Sequence, residues 1–195
     1  MKNRWFDLLA PWYDVLFSRL NSSRLTSILD LPEGGLLLEV GGGTGRVLQT
    51  FNNLSSRLYL LDVSPGMLRQ AALKPGINPI QATAEKLPIH NRSFESVLMV
   101  DAFHHLARQE QALAELWRVL KPGGRLVIEE LNIHNFPVKL IAWGEKLLLM
   151  KSHFWAPERI GNTLELMGTD VQIVKEGVNC WVVASKQNSR CRSGE

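Results

Sequence analysis

The chain has 195 residues, 45% of them hydrophobic and 21% charged. That balance suits one globular domain and excludes a disordered or fibrous chain. The formal net charge is +3, to which Arg190, Arg192 and Glu195 contribute, so the body is near neutral and its charge is weak evidence for a nucleic-acid partner. Two cysteines, Cys180 and Cys191, are too few for a disulfide framework or a metal-ligand cluster, and no metal is expected.

Asp7 and Asp14 interrupt the only stretch where a cationic leader would lie, and no run approaches the roughly 18 apolar residues of a membrane span. A cytoplasmic location, at most peripheral to a membrane, is the expectation.

In chain order, residues 4–20 and 22–30 read as two short helices, the second capped by Ser22 or Ser23. "GLLLEVG" (35–41) has the continuous apolar character of a strand buried on both faces, and a helix over about 45–52 should follow it. "RLYLLDV" (57–63) is a second such strand. "SPGMLRQAAL" (64–73) opens a helix with Ser as cap and Pro at its first position.

Strands are expected at 77–83 and 94–103. Between them and the next strand, Leu113, Leu116, Trp117 and Leu120 give the helix at 110–120 one apolar face. "KPGG" (121–124) should end that helix and turn the chain into a fifth strand, 125–131. A helix at 156–168 and a hairpin at 170–185, turning at Gly177, complete the series. Such alternation specifies an α/β fold: a doubly wound, mostly parallel seven-stranded sheet with an antiparallel C-terminal hairpin. We expect one domain over 1–186, with lid helices in 1–30, a substrate-side insertion at 134–155 and a polar tail at 187–195.

In such sheets ligands bind beyond the carboxyl ends of the strands, where the strand order reverses. Gly41, Gly43 and Gly45 strip that loop of side chains and permit a sharp turn, with Gly42 adding freedom. Their G-x-G-x-G spacing differs from the G-x-G-x-x-G of nicotinamide and flavin enzymes. Glu39, at the strand's exit, would repel a pyrophosphate and suits a ligand ammonium; the alternative is that it caps a helix N-terminus. Asp62, ending the second strand, has two oxygens to offer a ribose diol.

The set "LLEVGGGTG", "LYLLDVSPGML", "ATAEKLPIHNRSFESVLMVDAFHHL" and "LWRVLKPGGRLVIEE" resembles the successive motifs of the class I S-adenosylmethionine-dependent methyltransferases. The nearest branch is the one that includes the ubiquinone and menaquinone biosynthesis C-methyltransferases. The resemblance implies a Rossmann-like fold, S-adenosylmethionine as cofactor, and methylation of a small, hydrophobic acceptor such as a quinone precursor, phenol or lipid-like molecule. It puts Gly41, Gly43 and Gly45 under the cofactor's amino-acid part, Glu39 against its ammonium, Asp62 on the ribose, and Val63 and Met67 near the adenine. Thr83 stands where the family often has Asp, and Ala84 would bind the adenine through its backbone amide.

"DAFHHL" (101–106) puts Asp101, His104 and His105 at the carboxyl edge of the fourth strand. Asp101 joins the cofactor-binding residues. Either histidine suits a general base, with packing or capping as the alternative. Tyr13 is a further candidate at the reacting group, as part of a lid that the resemblance implies; ordinary helix packing is the alternative. Glu130 either points into the cleft or is a solvated loop charge. The insertion could cover an apolar substrate, touch a membrane surface, or simply pack. The competing functions are a non-catalytic cofactor-binding or regulatory module of the same fold, an RNA methyltransferase, and a nicotinamide oxidoreductase.

Overall fold

The computed structural model describes residues 10, 22–54, 57–132 and 153–188. The first predicted helix with Tyr13 and Asp14, nearly all of the insertion, and most of the tail lie outside them. Seven strands, β1 (Leu36–Val40), β2 (Arg57–Asp62), β3 (Ile77–Gln81), β4 (Phe94–Val100), β5 (Leu120–Leu131), β6 (Asp170–Glu176) and β7 (Asn179–Ser185), form one sheet in the order β3-β2-β1-β4-β5-β7-β6. β1 to β5 are parallel neighbours; β7 runs antiparallel to both β5 and β6, as the hairpin pattern predicts.

Alternation along each strand feeds two cores. Leu38, Leu61, Val97 and Met99 point to one face, where they meet Leu113 and Leu116 of α3 (Gln109–Val119) and Ile160 and Leu164 of α4 (Pro157–Glu165). Leu37, Leu60, Leu98 and Val127 point to the other, against Leu25 and Leu29 of α1 (Ser22–Leu29). Both faces of the central strands are therefore covered, which is why they read as unbroken apolar runs. The helix after β2, α2 (Pro65–Ala71), starts as its sequence dictates: Ser64 Oγ accepts the Met67 N–H at 3.1 Å and Pro65 occupies the first turn.

Two expectations need correction. The helix at 45–52 is only a 3-10 turn, Leu48–Phe51. Its first α-type bond is missing because the Leu48 N–H is donated to Glu39 Oε2 at 3.1 Å, while the Thr44 carbonyl that would have received it accepts from Lys74 Nζ at 2.7 Å. Likewise "KPGG" does not turn the chain away from the sheet. It is an irregularity inside β5: the pairing with β4 slips between Phe94 and Ser96, and Gly123 and Gly124 exchange hydrogen bonds with Lys186 instead.

β1 has β2 on one side and β4 on the other, so the sheet order reverses between β1 and β4. The crevice beyond their carboxyl ends is where this architecture makes room for a ligand.

Candidate functional site

A cavity of about 580 Å³ opens at that crevice. One wall is the loop after β1. At Gly41 the backbone has φ +74° and an added Cβ would lie 2.6 Å from the Ala102 Cβ, so neither the conformation nor the space admits a side chain. The Gly41 N–H is donated to the Leu61 carbonyl at 2.7 Å, which folds the loop back over β2. Asp62 then pins it: Oδ2 accepts the Gly43 N–H at 2.9 Å and Oδ1 accepts the Ser64 N–H at 2.7 Å. A carboxylate can accept about four hydrogen bonds, so one that pins a loop can also meet a diol.

The three glycines do different work. Gly41 and Gly43 line the cavity, whereas Gly45 does not; a Cβ on Gly45 would sit 2.7 Å from Ile77 Cδ1, so its bareness serves packing between the loop and β2 and β3.

Glu39 is fully buried, lines the cavity, and accepts the Leu48 N–H. It thus caps the short turn and still presents a face to the cleft. Burial pushes its carboxyl up to about 8, against the pull of the Leu48 bond and the nearby Arg46 charge. Arg46, which sequence reasoning passed over, also lines the cavity. Its Nε and Nη1 are buried without a hydrogen-bond partner. Its charge acts on both Glu39 and Glu129, and Glu129 is raised to about 7, chiefly by burial and then by the neighbouring Asp101 and Glu130 charges. Unmade hydrogen bonds on two buried guanidinium nitrogens are costly, and a ligand carboxylate is the group that would complete them.

Val63, Met67, Thr83 and Ala84 form the far wall. Val63 is half exposed and Met67 buried. Thr83 is held in a small bridge with Lys86, and the next residue, Leu87, donates its N–H to Glu115 Oε2 at 2.7 Å. Arg118 donates to the Leu87 and Ile89 carbonyls, so two residues of α3 set the height of this wall.

The remaining wall is the exit of β4. Asp101, at φ +49°, lines the cavity, as does His105. His104 does not. It is buried beneath, with Nδ1 2.6 Å from Glu130 Oε2, while Glu130 Oε1 accepts the N–H groups of Phe103 at 2.7 Å and His104 at 3.3 Å. Glu130 is therefore neither a cleft residue nor a solvated loop charge but an interior β5 carboxylate. His153 adds a second imidazole to the cavity wall, and its backbone N–H is donated to the His104 carbonyl at 2.7 Å. Burial, and then the charge of His104, hold the His105 imidazole down to about 3, so it is neutral at ordinary pH.

The structure thus brings Glu39, Gly41, Gly43, Asp62, Val63, Met67, Thr83, Ala84, Asp101 and His105 around one cavity and leaves Gly45 and His104 behind its walls. Arg46 and His153 are the residues that sequence reasoning missed. Arg46 directly follows the glycine loop, and a cation there is a readable signal; nothing in sequence brings His153 back to β4. Among the described residues no cluster of three or more metal-ligating side chains occurs, and no helix is long and apolar enough to cross a membrane.

Comparison with known proteins gives this geometry a context. A model of the methyltransferase domain matches residues 38–128. The demethylmenaquinone methyltransferase of Thermobifida fusca is 31% identical over 159 residues, covering 73% of this chain and 66% of that protein. The ubiquinone/menaquinone biosynthesis C-methyltransferase UbiE of Pseudomonas savastanoi is 35% identical over 144 residues, covering 65% and 56%. The chain thus spans somewhat under two thirds of the length of these relatives. A solved SAM-dependent methyltransferase from Thermotoga maritima superposes with a TM-score of 0.77 at 23% identity, covering 93% of this chain and 98% of that one, a likeness of fold.

Proposed function

We propose that this chain, which belongs to the class I S-adenosylmethionine-dependent methyltransferases, transfers a methyl group to a small apolar acceptor of the quinone-precursor or phenol kind. The observation that carries the reading is the pairing, on one cavity, of a glycine loop pinned by Asp62 with the Arg46 guanidinium near Glu39, whose Nε and Nη1 lack hydrogen-bond partners. An acid and a base side by side suit the two ends of an amino-acid head group, and Asp62 suits a sugar diol; together they fit an adenosyl amino acid. S-adenosylmethionine, when bound, supplies a methyl carbon made electrophilic by its cationic sulfur.

In this reading Glu39 takes the cofactor's ammonium, Arg46 its carboxylate and Asp62 its ribose, while Val63, Met67, Thr83 and Ala84 enclose the adenine. Gly41 and Gly43 leave the backbone bare where the cofactor lies. Asp101, at the mouth between cofactor and acceptor, completes the polar rim. His105 faces the acceptor as a neutral imidazole that can take the proton of a phenolic or enolic hydroxyl. Positioning and exclusion of water supply most of the remaining rate. The names of the curated relatives, which refer to demethylmenaquinone and to ubiquinone and menaquinone biosynthesis, favour a quinone ring as acceptor.

The test is thermal shift with S-adenosylhomocysteine and with nicotinamide dinucleotide, followed by transfer of a tritiated methyl group into quinone, lipid and RNA extracts. We expect stabilisation by the first compound only and label in the quinone fraction. Label in RNA, or stabilisation by the dinucleotide alone, would overturn the reading. Binding without label in any fraction would point to a regulatory module.

A further inference from the structure

His104 and Glu130 lie outside the cavity yet are tied together more closely than packing requires. Both side chains are about 5% exposed, and a buried carboxylate is expensive unless several donors meet it. Three do: the backbone N–H groups of Phe103 and His104, and His104 Nδ1 at 2.6 Å. One carboxylate therefore fixes both the backbone of the short turn Phe103–His105 and the ring of its middle residue.

The turn is clamped from outside as well. The His104 ring stacks on Phe154 with centroids 4.3 Å apart and planes 10° apart, and the His104 carbonyl accepts the His153 N–H. Gln109 Nε2 bridges the Phe103 and His153 carbonyls at 3.0 and 2.8 Å. His105, the residue that reaches the cavity, has its ring centroid 4.0 Å from that of His104.

We propose that Glu130 is a positioning residue: acting through His104, it fixes the turn that sets where the His105 ring nitrogen meets the cavity. The catalytic use of that nitrogen rests on the reading of the site given above; the positioning itself does not. The charge of His104 lowers the His105 titration, second to burial. The other titratable groups around the pair are Glu129 on β5, Asp101 at the exit of β4, His153 before α4 and Cys180 on β7, with Glu85, Glu39 and Arg46 elsewhere on the cavity wall. The anions among them would favour a charged His105, so burial and the His104 charge outweigh them.

The experiment follows the imidazole nitrogen and carbon shifts of the histidine-labelled full chain between pH 5 and 9, with pH profiles of methyl transfer and S-adenosylhomocysteine affinities measured on the same proteins. In the parent, His105 should show the neutral form throughout. In Glu130→Gln, burial should keep the His105 ring neutral, but its shifts should move as the turn loosens, kcat should fall at least tenfold, and affinity for S-adenosylhomocysteine should change less than threefold. His104→Phe, which keeps a ring on Phe154 but cannot bond Glu130, should shift the His105 resonances and lower kcat in the same way and serves if Glu130→Gln does not fold. Variants whose His105 shifts and kcat match those of the parent would overturn the proposal. Correct His105 behaviour with no methyl transfer to any acceptor would instead overturn the functional reading alone.

Discussion

Glu39 answers two demands with one carboxylate. It caps the turn after the glycine loop and faces the cavity, and its buried position holds it largely protonated at neutral pH. A ligand ammonium would ionise it, so binding must release a proton. Affinity for S-adenosylhomocysteine should therefore rise towards tenfold per pH unit between pH 6 and 8 and level off above, and Glu39→Gln should flatten that slope; calorimetry at several pH values checks it.

The same shift fixes a stability sign. With a folded value near 8, above the 4.5 of the free group, Glu39 has its full favourable contribution below about pH 4.5 and loses it as pH rises through 8. Glu39→Gln should thus gain in Tm relative to the parent as pH goes from 5 to 9. Asp62→Ala should lose about 1 to 3 kcal/mol of stability, because the Gly43 and Ser64 amides lose their acceptor, and more than tenfold in cofactor affinity. Denaturant unfolding and titration calorimetry measure the two losses.

At the level of elements, the loop after β1 separates two uses of glycine. A side chain at Gly43 finds nothing nearer than Met67 Sδ at 3.8 Å and would project into the cavity, whereas one at Gly45 runs into Ile77 and Leu60. Gly43→Ala, strained by its φ of +56° but facing open cavity, should weaken cofactor binding more than it lowers Tm, and Gly45→Ala should lower Tm more than it weakens binding at a temperature where both are folded. The sequence distinguishes neither from the other, since spacing says that a bare loop is needed but not which way each residue faces. Strands and caps were legible because they depend on neighbours: the apolar runs of β1, β2 and β4, and Ser64 with Pro65 before α2. The shortened helix at 48–51 and the irregular "KPGG" were not, because Glu39, Lys74 and Lys186 reach them from other elements.

Over the whole molecule, the site draws on parts far apart in the chain. The Thr83 wall hangs from α3 through Glu115 and Arg118, and Arg118→Ala should weaken cofactor binding about three- to tenfold although the residue lies outside the cavity; calorimetry again reads it. Glu39, Asp62 and the glycines were readable as a site because one parallel crossover brings the ends of β1 and β2 together. His153 and the burial of His104 were not, since they require the chain after β5 to return to the exit of β4.

The most direct measurement is a crystal structure of the chain with S-adenosylhomocysteine. The account predicts the compound in the crevice beyond β1, its amino group on Glu39, its carboxylate on Arg46 and its ribose hydroxyls on Asp62. A molecule bound elsewhere, or one in the crevice with Glu39 and Asp62 turned away from it, would contradict it.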